Sequence, residues 1–294
     1  MPYTFGRLAA VEGVEQAVTT AGPVRARRSV IDSIASLADD VYQQRTWIRR
    51  ELPYPDYYDE LTLAIHVLFD DYVVLPEPRV LGDGVLLPGD EITRLRDLGA
   101  IFGAMLDRLG EIAETDADYV TDSQWPDVVR AAQHCLPALI LAGGWEHSDT
   151  DARLYTEERA EGRIPTVDRP ATRRNVIRAV AALADADYQR RAWTGASEDP
   201  VTGSLSACLH TLTHDAGVLP DPAGAVGRVL LPGDEIDRLT VLGAKLRAAP
   251  APGSTRPHTA IWSDVVDAAL HCLPALVIAG AWIGDDPGSP TRPA

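Results

Sequence analysis

The chain repeats itself. Residues 125–145, WPDVVRAAQHCLPALILAGGW, return at 262–282 as WSDVVDAALHCLPALVIAGAW with 15 of 21 positions identical. An upstream block, RRSVIDSIASLADDVYQQRTW at 27–47, returns at 173–193 with 12 of 21 identical, and LLPGDE occurs verbatim at 86–91 and 230–235. The order of the blocks is the same in both halves. Any fold must therefore be built twice, and the reading is an N-terminal extension (1–24), a first repeat (25–146), a linker (147–170), a second repeat (171–284) and a frayed tail (285–294). What the copies share is expected to be scaffold, and what they do not share is where function is sought.

Length and composition set bounds on that reading. For 294 residues the length prior is about two domains, each large enough for its own core. A net charge of -16 argues against phosphate backbones and anionic membranes, which need clustered cations, so neither nucleic acid nor membrane is expected as a partner. Cys135, Cys208 and Cys272 sit in apolar segments and read as small buried hydrophobes. No secretory signal pattern and no long apolar run is visible, which makes the cytoplasm the expected location.

Helical periodicity runs through both copies. Val30, Ile31, Ile34, Leu37, Ala38 and Val41 recur at spacings of three and four, the stripe of an amphipathic helix. A buried helix is expected between Tyr57 and Val73, a third after LLPGDE through Leu109, and a fourth from Trp125 to Gly143. An extra helix is expected at Leu8–Val18 and a solvated one at Asp151–Gly162; Gly84–Leu87 is the one strand candidate. The expected fold class is all-α: two tandem bundles of about four helices each, either a monomer with pseudo-twofold repeats or a weak homodimer.

Each motif has a structural and a chemical reading. In LLPGDE, Asp90 and Asp234 are read as helix N-caps, and Glu91 and Glu235 as first-turn residues favoured by the helix dipole. His210 and His214, one turn apart and followed by Asp215, have the spacing of two metal ligands on one face. The first copy places His66, Asp70 and Asp71 there, with no HExxH or CxxC nearby, and no metal or cofactor is expected. His134 and His271, beside Cys135 and Cys272 in HCLPAL, read as structural, because neighbouring helix residues diverge too far for a preassembled pair. Trp47, Trp125 and Trp145, matched by Trp193, Trp262 and Trp282, read as core anchors. Arg45 and Arg191 are expected to pair with an acidic group.

The divergence between copies is more telling. Residues 27–145 carry 10 basic and 21 acidic residues, a balance of -11; residues 173–282 carry 10 and 11, a balance of -1. The aromatic counts over the same spans are 11 and 4. The excess gathers where Tyr54, Tyr57 and Tyr58 stand among Glu51, Asp56, Asp59 and Glu60, followed by Asp70 and Asp71, with more acid at Glu111, Glu114, Asp116 and Asp118. Tyrosine gives stiff contact area and carboxylates steer a cationic partner. Tyr54, Asp56, Tyr57, Tyr58, Asp59, Glu60, Asp70 and Asp71 are therefore the candidate binding residues.

Tyr42, Gln43, Arg45 and Trp47, then Asp70, Asp71, Leu75 and Pro76, then Leu86 to Glu91, together resemble a family of short, acidic, uncharacterised actinobacterial proteins. Its members usually have one copy, so this chain is similar to a tandem version. The resemblance carries no activity with it.

The resulting expectation is a non-enzymatic module that binds a basic protein through the first repeat, with a toxin-neutralising or immunity-type role as its concrete form. The alternatives are a metal-dependent enzyme around His210, His214 and Asp215, and a purely structural or regulatory module.

Overall fold

The computed structural model describes residues 22–52, 58–80, 84–110, 113, 115–145, 167–194, 197–219, 221–249 and 260–278. The expected helices at Leu8–Val18 and Asp151–Gly162 lie outside these residues. Eleven helices and no strand occur among the described residues, including Gly84–Leu87. In the first half these are α1 (Pro23–Leu37), α2 (Asp40–Tyr42, continuing in π form over Gln43–Ile48), α3 (Leu61–Ile65, continuing in π form over His66–Asp71), α4 (Asp90–Leu109), α5 (Asp116–Val120) and α6 (Trp125–Ala142). The second half has α7 (Pro170–Ala184), α8 (Ala186–Ala192), α9 (Leu205–His210, then π over Thr211–Asp215), α10 (Asp234–Ala248) and α11 (Ala260–Val277). No described helix is long and apolar enough to cross a membrane.

The periodic apolar residues of α1 do what their spacing predicts: Val30, Ile31, Ile34 and Leu37 are fully buried. Pro23 opens the helix at a position where its missing N–H costs nothing. Asp39 then caps α2 by accepting from the Tyr42 N–H at 3.0 Å, as Asp185 does for Tyr188 at 2.9 Å. Trp47 and Trp125 meet edge to face with centroids 6.4 Å apart, and Phe102 joins Trp125 at 6.1 Å. The aromatic anchors are core, with Trp47, Trp125 and Trp145 all buried; Trp282 lies outside the described residues. The three thiols are free and buried, and burial pushes Cys208 up to about 12, far from a reactive thiolate.

One buried ion pair holds each half. Arg27 is wholly enclosed and donates to Glu91 at 2.7 and 3.0 Å, and to the carbonyls of Val85, Leu139 and Gly143. Arg173 repeats this with Glu235 and the carbonyls of Val229 and Leu276. Asp90 and Asp234 are therefore not N-caps. Gly89 and Gly233 occupy the cap positions, with φ of 140° and 121° that only glycine tolerates, and the acids fall one residue later, inside the helix. That shift lets Glu91 turn back to accept the Leu87 N–H while facing Arg27.

The halves are not separate cores. One cluster of buried apolar side chains runs from Ala26 to Val277 through both. Helix α6 packs on α7 and α11 packs on α1, while α6 and α11 also pack on each other. Arg94 meets Asp185 at 2.8 Å and Arg238 meets Asp39 at 2.7 Å. Arg45 meets Asp234 at 2.8 Å, and Arg191 meets Asp90. Arg45 and Arg191 thus find acidic partners, but in the opposite half.

Candidate functional site

A groove of about 420 Å³ runs along the outer face of α1 in the first half. Its floor is Arg28, Ser29, Asp32, Ser33 and Ser36, and its walls are Tyr42, Tyr58, Asp59 and the α3 residues Leu63, Ala64 and Val67. Val277 and Ile278 close one end, and Arg28 ties that end down by donating to the Val277 carbonyl at 3.1 Å.

The candidate residues divide around this groove. Tyr58 is 64% exposed and hydrogen-bonded to Glu60, whose negative charge holds the phenol's proton on and raises its pKa. Asp59 faces inward and accepts the Tyr42 hydroxyl; burial raises its carboxyl above the ordinary range, against the pull of that hydrogen bond. Glu60 is held by Arg50 at 3.7 Å, and Arg50 also reaches Asp116 at 3.4 Å. Further along α3, Asp70 accepts from His66 at 2.6 Å on an exposed face, and Asp71 is exposed beside it. Tyr54, Asp56 and Tyr57 lie outside the described residues. Asp116 and Asp118, part of the acidic excess, are both engaged, Asp116 by Arg50 and Asp118 in a capping box with Thr115 at the start of α5.

The matching face of the second half is filled among its described residues, with Ala179 and Ala182 wholly buried. Asp32 is replaced by Arg178, which reaches Asp199 at 2.5 Å. Asp199 also accepts the N–H groups of Val201 and Thr202, folding that segment onto the helix until Val201 and Thr202 are buried. Tyr188, the counterpart of Tyr42, pairs with Thr202 at 2.7 Å where Tyr42 holds Asp59. Ser33 and Ser36 become Ala179 and Ala182, and Leu63 becomes Ala207.

Backbone geometry marks the same region. Val73 follows α3 with φ of 48°, left-handed and strained for a β-branched residue, yet its side chain is 61% exposed. The second half places Gly217 there with φ of 64°, which costs nothing. Exposed large apolar residues are also more numerous in the first half: among the described residues Val41, Leu52, Tyr58, Leu63, Val73, Val80 and Ile101 belong to it, and Val226 and Val241 to the second.

The remaining candidates do not converge. His210 and His214 stack with centroids 5.0 Å apart, and His210 comes within 3.4 Å of Asp215 on an exposed helix face. No group of three or more His, Cys, Asp or Glu side chains placed to hold a metal occurs among the described residues. His134 lines a larger cleft of about 780 Å³ between the halves. Half of that cleft's charged lining is joined in ion pairs that tie the two halves, Arg94 with Asp185 and Arg191 with Asp90. The carbonyls of His134 and His271 accept from Arg94 and Arg238, three residues before Pro137 and Pro274, which lie inside those helices.

Residues 23–146 match the family described as Domain of unknown function (DUF7945), so the match starts at α1 and ends just past α6, spanning one repeat. No curated protein and no solved structure matches the chain.

Proposed function

We propose that the protein is a non-enzymatic binding module that holds a basic protein on the α1–α3 face of its first repeat, in the manner of a toxin-neutralising or immunity-type protein. The observation that carries this reading is the asymmetry of two faces built on one scaffold. The second face is sealed by Arg178 and Asp199. The first carries a groove among its described residues, lined by the Arg28–Asp32 pair, Asp59 and serine hydroxyls and rimmed by the exposed Tyr58 and Leu63. Aromatic and aliphatic anchors supply contact energy, and surrounding carboxylates choose a cationic partner and speed its arrival. The strained, exposed Val73 supports the same view, since strain on a surface persists where the side chain is needed.

The test uses the second repeat's own residues. A photoreactive amino acid at Tyr58 in the full chain should cross-link in cells to a protein with a basic surface, and recovery should fall as salt rises. Asp32→Arg combined with Leu63→Ala, which reproduces Arg178 and Ala207, should lower that yield roughly tenfold or more while leaving the melting temperature near that of the parent. Unchanged yield in the double variant would remove the face as the site of binding.

A further inference from the structure

We propose that the surface each repeat offers to the other is a self-complementary docking surface, so that the first repeat's fitting partner is any second copy of itself. This goes beyond the binding face above and does not depend on it. The ion pairs between the halves are reciprocal. Arg94 meets Asp185, whose counterpart in the first repeat is Asp39; Asp39 meets Arg238, the counterpart of Arg94. Arg45 meets Asp234, the counterpart of Asp90; Asp90 meets Arg191, the counterpart of Arg45. A twofold rotation that laid the first repeat in the place of the second would restore all four bridges, as an isologous contact demands.

The buried part obeys the same rule. Helices α6 and α11 pack on each other, and each packs on the first helix of the opposite half. The two helices share the sequence HCLPAL, with the buried Leu136 and Leu139 standing where the buried Leu273 and Leu276 stand. The inner members of the outer bridges are equally enclosed: Asp39 and Asp185 have side chains 3% and 2% exposed. A first repeat deprived of the second would leave this apolar face open to water, and a second copy covers it with the four bridges matched, losing only the longer Arg94–Asp187 contact, whose acid is Val41 in the first repeat. The family match over 23–146 coincides with one such unit.

The experiment starts from the full chain with a specific protease site inserted between residues 146 and 167. After cleavage, exchange in mild denaturant and refolding, native mass spectrometry should show first–first dimers beside the original first–second pair. Only the original pair and free halves would overturn the proposal. Arg45→Asp with Asp90→Arg makes the choice specific: both reversed charges meet like charges on the second repeat, yet meet opposite charges on another copy of the first. The ratio of first–first to first–second pairs should rise by roughly tenfold, and an unchanged or falling ratio would contradict the pairing. A full-length chain in which residues 171–284 give way to a second copy of 25–146 guards against misfolding of the separated halves. It should unfold in one transition like the parent, and two independent transitions would count against self-complementarity.

Discussion

The two outer faces show what a duplicated scaffold is free to change. Along α1 the positions Ser29, Asp32, Ser33 and Ser36 face a groove, while Asn175, Arg178, Ala179 and Ala182 occupy the same helical stripe in α7. Arg178 pairs with Asp199, which holds its own loop on the helix, whereas Asp32 pairs with Arg28 along its own helix. Inside, the reverse holds. Arg27 and Arg173 make the same bonds to Glu91 and Glu235, because a buried charge without its partner costs more than a fold can spare. Burial conserves and exposure diverges.

The sharpest way to break that comparison is to remove a shared element. Arg27→Ala strands Glu91 in the core and leaves three carbonyls short of a donor, so it should cost about 3–5 kcal/mol. Arg173→Ala should cost nearly as much, its side chain being 12% exposed against none for Arg27. Replacing both partners, Arg27→Met with Glu91→Leu, should recover much of the loss. Urea unfolding of the three variants checks this. A small effect of one arginine and a large effect of the other would mean the two interiors are not equivalent.

This ion pair also shows where the sequence was legible. The apolar stripes of α1, α4 and α6 announced the helices, and the matched tryptophans announced the core. The pair itself was present as Arg27 with Glu91 and Arg173 with Glu235, retained in both copies, but a glutamate in a first turn has a ready surface explanation. The distinguishing signal was an arginine on the buried side of an apolar stripe, which demands a carboxylate opposite. The caps were misplaced by one residue for a related reason: aspartate is the commoner cap, and only the backbone angle shows that Gly89 holds that position. The contacts of Arg45 and Arg191 were expected, but the half in which their partners lie depends on tertiary packing that no local pattern encodes. The groove was half visible. Its tyrosine and acid content stood out as divergence, while the serines of α1 and the strain at Val73 carry no signal in composition.

A smaller effect tests the strain directly. Val73→Gly gives the first half the residue the second half uses, and should stabilise the chain by about 1 kcal/mol after the added flexibility of the unfolded state is offset. Gly217→Val should cost about 1–2 kcal/mol. Both are read from denaturant midpoints. If Val73→Gly also weakens partner capture, the strain is tied to the open face; if it stabilises and leaves capture intact, Val73 is outside that face.

The subtlest comparison concerns Asp59, which the second repeat replaces with Gly203. Burial raises the Asp59 carboxyl, so the folded chain holds that proton more tightly than the unfolded chain does. The sign follows from linkage: the stabilisation is complete below the unfolded pKa of about 3.9, and is lost as pH rises through the higher folded value. Asp59→Asn cannot ionise and still accepts the Tyr42 hydroxyl through its amide oxygen. Its stability should match the parent's at pH 3.5 and exceed it at pH 7, a gap that opening midpoints across the interval would trace. Parallel curves would mean that water reaches the carboxylate freely and that this corner of the groove is not dry. The same linkage bears on binding, because a cationic side chain entering beside Asp59 would favour its ionised form and release a proton. Capture by the parent should then strengthen with pH over the range where Asp59 titrates, and capture by Asp59→Asn should not.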